Sequence, residues 1–193
     1  MGETLLINHK RENLLNALIY FSKNTRSCGK TKLFKLLYFL DFIHFRETGE
    51  SVTGLNYYAW EKGPVPQDLF YELKRPDKDL KETIMLLKRF EDEDNKLCQV
   101  IAKKPFDSKY FSKRELRIMK DLAYIFRDAL AKDMVEVTHL KGSPWDKTLK
   151  KKGRGERIDY LLAVDGSKGA LSLEEIKGRL TEAKEVEQIF ESK

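Results

Sequence analysis

The sequence predicts a mainly α-helical protein with a small antiparallel β element, an α+β chain built as one compact helical domain, and three observations predict it. From Thr31 to Thr48 apolar residues cover almost every face of a helical pattern, as in a helix surrounded by protein. Two Ser-x-x-Glu capping boxes, Ser112 with Glu115 and Ser172 with Glu175, each open an amphipathic run. Between these helices, Gly54 to Lys62 reads as an extended aromatic segment that meets the corner Gly63-Pro64-Val65-Pro66.

Taken in order, Leu14, Leu15, Leu18, Ile19 and Phe21 recur at helical spacing and give an amphipathic first helix over Arg11 to Lys23. Gly49 closes the second helix as a C-terminal glycine does. Pro66 suits the first turn of a third helix through Leu69, Phe70 and Leu73, ending near Arg75 because Pro76 disfavours helix before it. Residues 83–90 and 97–101 flank the acidic turn Glu91 to Asn95 and read as a hairpin, with a helix over 78–90 as the competitor. The first capping box leads into a helix carrying Leu116, Met119, Leu122, Ala123, Phe126, Ala129 and Leu130, with a break expected at Asp133. A short segment ending at Thr138-His139 precedes the loop Gly142-Ser143-Pro144-Trp145, a basic run to Arg157 read as a solvated mobile loop, and an apolar stretch from Ile158 to Val164. The second capping box opens a final helix with the stripe Leu173, Ile176, Leu180, Ala183, Val186 and Phe190, separated from the rest by Gly166 to Gly169. Residues 1–165 are therefore expected to form the domain and 166–193 a helical extension.

Composition excludes several classes. Apolar residues at 41 % support a folded core, and charged residues at 35 % a water-exposed surface. No run reaches the length of a membrane span and no signal pattern opens the chain, so a cytosolic protein without a membrane partner is expected. Cys28 and Cys98 stand apart with no Cys-x-x-Cys or Cys/His cluster, and with three histidines in all neither a disulfide framework nor a metal site is expected, nor a cofactor. The net charge of +6 is uneven: residues 101–157 hold 16 Lys/Arg against 8 Asp/Glu, so an anionic partner would meet that part of the chain.

Four constellations carry candidate chemistry. Gly29-Lys30-Thr31 imitates the end of a phosphate-binding loop, but Asn24 stands where the first glycine belongs and a helix precedes it where a strand is required. Asp41, His44 and Thr48 share one stripe of the second helix, yet no Ser or Cys nucleophile accompanies them, which favours a structural or binding role over hydrolysis. Tyr57, Tyr58 and Trp60 beside Pro64 and Pro66 are material either for core or for a binding hot spot, with Tyr58 and Trp60 on one face and Tyr57 on the other. The cluster Lys147, Lys150, Lys151, Lys152, Arg154 and Arg157 could contact phosphates, although no helix-turn-helix or aromatic platform accompanies it.

The ordered set Lys35-Leu36-Leu37-Tyr38-Phe39, Gly49, Tyr58-Ala59-Trp60-Glu61-Lys62-Gly63-Pro64-Val65-Pro66 and Leu69-Phe70-Tyr71-Glu72-Leu73, with Val137-Thr138-His139 and Ser143-Pro144-Trp145 downstream, resembles the Panacea domain family of SocA-like antitoxins and phage-associated proteins. The resemblance covers about residues 10–165. It implies a compact, mostly helical domain with a small β element that binds and neutralises a toxin encoded beside it. Carried over by position, Lys35, Tyr38, Trp60, Gly63, Pro64, His139 and Trp145 are the family-pattern residues. The chain departs from the pattern in the aromatic character of Leu40 to Phe45, in its added C-terminal helix, and in lacking the N-terminal DNA-binding appendage of some members, which argues against direct operator binding.

The expected function is thus that of a non-enzymatic, prokaryotic antitoxin of a toxin-antitoxin system, acting by protein binding. Lys35, Tyr38, Asp41, His44, Tyr58, Trp60, Gly63, Pro64, His139 and Trp145 are the candidate partner-binding residues. Two alternatives stand beside it: a protease adaptor that delivers the toxin for degradation, and a nucleic-acid-binding regulator using Lys150, Lys151, Lys152 and Arg154. The C-terminal helix offers a route to a homodimer.

Overall fold

In the computed structural model, residues 2–90, 96–167 and 169–191 are described. The helix that the sequence marks as surrounded by protein, α2 (Lys30–Thr48), follows α1 (Gly2–Asn24) and is the axis of the fold. Leu33, Leu36, Leu37 and Leu40 are fully buried along it, and α1, β2, α5 and α6 all pack against it. Gly49 ends α2 at φ 84° and donates its N–H to the Phe45 carbonyl at 2.7 Å, a left-handed cap that a side chain would strain.

The aromatic run forms β1 (Tyr57–Trp60), paired antiparallel with β2 (Gly63–Pro66) in the register Trp60 to Gly63 and Ala59 to Pro64. Ala59 turns its own N–H and C=O to the opposite edge, where they bond Glu156 O and Gly155 N at 2.9 Å. Pro64 therefore sits opposite a residue that needs nothing from it, and its missing N–H costs no ladder bond. Tyr57 and Ala59 point into the core while Tyr58 and Trp60 are half-buried, the alternation that the sequence predicts. Pro66 closes β2 and caps α3 (Gln67–Glu72), rather than entering its first turn, because its backbone is extended.

α4 (Lys78–Thr83) leads into β3 (Ile84–Phe90), paired with β4 (Lys96–Ala102) from Ile84 to Ala102 through Phe90 to Lys96. The expected hairpin and a shortened version of its helical competitor are both present, and the acidic turn between the strands lies outside the described residues. β4 is tied to the loop before α2 by Val100 N–H donating to Cys28 O at 2.8 Å.

Both capping boxes form. Ser112 and Glu115 exchange side-chain-to-backbone bonds at the head of α5 (Lys113–Ile125), and Ser172 and Glu175 do so before α8 (Leu173–Glu191). The break expected at Asp133 falls earlier. α5 stops at Ile125, leaving Ala129 and Leu130 outside it, and Asp133 belongs to α6 (Ala131–Thr138), where its carboxylate accepts the Leu130 N–H at 2.7 Å. An acidic residue in a first turn satisfies amides there, so the sequence signal is a start and not a stop.

The basic run is exposed to solvent as expected, but its first half is helical, contrary to the loop reading. Pro144–Lys151 is helix α7, with Ser143 as N-cap and Pro144 in its first turn, and Gly155 to Ile158 bonds along the free edge of β1. The chain then makes a 3-10 turn over Tyr160–Ala163. α8 is anchored by the fully buried Ile176 and by Arg179, which donates to Thr48 O at 3.0 Å. No helix among the described residues is long and apolar enough to cross a membrane.

Candidate functional site

Asp41 and His44 share a helix stripe but not a function. The Asp41 carboxylate is fully buried and accepts the Thr53 N–H at 2.8 Å, the Thr53 hydroxyl, and the Tyr57 hydroxyl at 2.7 Å. Burial pushes its pKa up against those hydrogen bonds. His44 Nδ1 lies 2.8 Å from Glu50 O and 3.3 Å from Thr48 Oγ1, at the end of the helix. The hydrolytic pairing weighed from sequence is therefore not assembled: the acid pins the turn before β1, and the imidazole closes the C-terminus of α2.

The family-pattern residues do converge, around the Gly63-Pro64 corner. Lys35, 1 % exposed, donates from Nζ to Pro64 O at 2.7 Å. Burial alone lowers its pKa to about 7. Gly63 stands at φ 92°, and a Cβ there would come within 2.7 Å of both Lys35 Nζ and Thr138 Oγ1. Glycine is thus required twice over, by backbone conformation and by space. Next to Thr138, His139 stacks on Trp145 at 3.9 Å and 5°, and Trp145 Nε1 donates to Trp60 O at 3.0 Å. The clasp joins α2, the β1–β2 corner, the end of α6 and the head of α7.

Two polar atoms in this region, Tyr38 Oη and His139 Nε2, are buried without a hydrogen-bond partner. Burial holds the Tyr38 phenol well above its ordinary pKa, and it lowers that of His139, with Lys35 acting in the same direction on the imidazole. Tyr38 also lines a pocket of about 210 Å³, open to solvent on one side, together with Phe39, Phe42, Val137 and Pro144.

Of the candidate partner-binding residues, Lys35, Tyr38, Asp41, His44, Gly63, Pro64 and Trp145 are buried, whereas Tyr58, Trp60 and His139 reach partway to solvent. Trp60 continues outward into an aromatic row: it packs edge-on against Phe70 at 4.9 Å, Phe70 does the same with Tyr71 at 5.4 Å, and Lys74 Nζ sits 4.5 Å over the Phe70 ring. Tyr71 is 51 % exposed. Lys150, Lys151, Lys152 and Arg154 are exposed at the C-terminal end of α7, where cations complement the helix dipole; Lys150 pairs with Asp146 at 2.8 Å.

Sequence reasoning missed Lys32. Its fully buried ammonium donates to Arg26 O, Arg127 O and Ala129 O at 2.8, 3.0 and 2.8 Å, holding the turn between α5 and α6. The available signal was a lysine inside a helix apolar on every face. The described residues hold no cluster of three metal-ligating side chains.

No curated protein and no solved structure matches the chain. Residues 33–146, more than half of the chain and the whole span from α2 through the clasp to the head of α7, match the family model of the antitoxin SocA-like proteins with the Panacea domain, and the chain belongs to that family.

Proposed function

We propose that the protein is an antitoxin that neutralises a cognate protein toxin by direct contact, without catalysis of its own and in the cytoplasm. Membership of the SocA-like family carries the proposal. The contact surface proposed is the row Trp60, Phe70 and Tyr71, which starts at the rigid Gly63-Pro64 corner and ends in an exposed ring. Aromatic side chains on a preorganised backbone lose little freedom on binding and dominate many interfaces. Tyr58 and His139, half-buried near the same corner, form its border.

The test is co-expression with the gene encoded next to this one. Growth rescue together with a co-purifying stoichiometric complex supports neutralisation by binding. Rescue with disappearance of the neighbour protein replaces it with the adaptor reading. Tyr71→Ala should weaken the complex at least tenfold at unchanged circular dichroism, since Tyr71 is half in solvent. Unchanged affinity in that variant moves the interface elsewhere.

A further inference from the structure

The sheet of β3 and β4 has one covered edge and one open edge. The far side of β4 is covered by the loop before α2, where Val100 N–H donates to Cys28 O at 2.8 Å and Gly29 pairs with Gln99. Among the described residues β3 has no strand neighbour besides β4. Because Val100 turns its amide away from β3, its register partner Leu86 turns its own N–H and C=O away from β4, and by the alternation of an antiparallel ladder so do Ile84 and Lys88. The Ile84 N–H is taken by Leu80 O. The outward N–H and C=O groups of Leu86 and Lys88 have no backbone partner among the described residues.

Open edges in folded proteins are normally blunted by proline, a bulge or charge along the strand. The register of β3 runs without a bulge from Ile84 to Phe90, the strand holds no proline, and its charges, Lys88 and Arg89, stand in its second half. Its first half is apolar on both faces: Met85 and Leu87 are 47 % and 40 % exposed on one, while Ile84 and Leu86 occupy the other. Ile84, Met85 and Leu86 also line a groove of about 340 Å³, open to solvent, together with Leu73, Pro76 and Leu80. The charged residues of that lining are Lys81 and Lys103, and neither ammonium joins an ion pair among the described residues. The acids of α4 are already engaged, Asp79 by Arg11 at 2.8 Å and Glu82 by Lys104 at 3.1 Å.

We infer that β3 is a docking edge for an extended, acidic segment of a partner protein, which adds a strand beside β3, lays a row of apolar side chains along the groove and brings carboxylates to Lys81 and Lys103. An open edge supplies main-chain bonds and an adjoining groove selects side chains, the two parts of recognition by strand addition. The unpaired cations call for acid in the occupant, and a second copy's β3 offers only Lys88 and Arg89. None of Trp60, Phe70 and Tyr71 lines the groove, so the inference does not rest on the toxin contact proposed above.

The experiment is fluorescence polarisation of the full chain with three labelled octapeptides: alternating Glu-Val, alternating Lys-Val, which inverts the charge, and alternating Glu-Pro, which keeps the charge but cannot join a ladder. Saturable binding of the Glu-Val peptide is expected, at least tenfold tighter than either control. Lys88→Pro, which removes an outward N–H and no bond to β4, should lose at least tenfold in affinity, Lys88→Ala much less, and Lys81→Glu severalfold. In the native chain, hydrogen exchange at the Leu86 and Lys88 amides should slow at least tenfold with the Glu-Val peptide bound, a change that charge attraction alone does not produce and that does not depend on how any variant folds. No saturable binding overturns the inference, as does equal affinity for either control or unchanged exchange at those two amides. A dimer by light scattering in which both amides are slow without peptide also overturns it, because the occupant is then a second copy.

Discussion

Lys35 makes stability depend on pH in a way that can be worked out from its surroundings. The amine is 1 % exposed, its one hydrogen bond goes to a neutral carbonyl, and burial alone lowers its pKa from 10.5 to about 7. In the unfolded chain it stays protonated up to pH 10.5, so between pH 7 and 10.5 the folded protein binds fewer protons than the unfolded one. Stability therefore rises with pH across that window, and the contribution is lost as pH falls through 7. One pKa unit is about 1.4 kcal/mol. From pH 7, where the folded amine is half protonated, to pH 9, the gain is about 2 kcal/mol. Lys32 contributes with the same sign, while Cys28, Tyr57 and Tyr160, all held above their ordinary values, oppose it at the alkaline end. The measurement is thus a difference: urea unfolding of the native chain and of Lys35→Met at a series of pH values from 6 to 9. Loss of the bond to Pro64 O lowers the variant's curve by a constant and leaves its slope alone. The two curves should diverge by about 2 kcal/mol from pH 7 to pH 9. Parallel curves over that range would refute the argument, showing that Lys35 remains charged in the folded state.

Three further substitutions test the clasp and its supports. Gly63→Ala should destabilise by about 3 kcal/mol, since it meets both a φ of 92° and two contacts at 2.7 Å, whereas Gly142→Ala, at φ 82° with nothing within 4 Å, should cost about 1 kcal/mol; equal urea midpoints would deny the crowding. Tyr38→Phe removes a buried hydroxyl without a partner, so its thermal midpoint should stay level or rise, by up to about 1 kcal/mol of stability, and a drop would show that the hydroxyl is bonded. Asp41→Asn replaces an acceptor of three donors with a group that can accept only part of them, and should cost about 3 kcal/mol by chemical denaturation; a loss under about 1 kcal/mol would mean that the Thr53 turn is held by other contacts.

What the sequence made legible was local. The span of α2, its glycine cap and both capping boxes are written within a few residues of where they act, and they are where the pattern puts them. Asp133 and the basic run misled because the same residue types start helices and end them: Asp133 opens α6, and Lys150 and Lys151 finish α7. The clasp was legible as a set of residues but not as a geometry, because its bonds cross 29 positions from Lys35 to Pro64 and 85 from Trp145 to Trp60. Nothing in single-sequence spacing links such pairs. The pocket beside Tyr38 is of the same kind, since its walls come from α2, α6, α7 and the turn after Leu161.

Three ionisable residues inside α2 each fasten one surface segment to the core. Lys32 holds the turn after α5, Lys35 holds the Gly63-Pro64 corner, and Asp41 holds the turn before β1. Buried charges are costly, and apolar residues of similar shape would often serve stability as well or better. What an amino or carboxyl group adds is direction: it bonds a particular carbonyl or amide and so fixes a loop in one conformation. A backbone held in this way has little freedom left to lose when a partner docks, which lowers the entropic cost of association without enlarging the contact. The family-pattern residues Lys35, Gly63, Pro64 and Trp145 are all buried in this scaffold, so on the proposed reading discrimination between partners rests on the outward residues that the scaffold carries, with Tyr71 at the end of the aromatic row foremost among them.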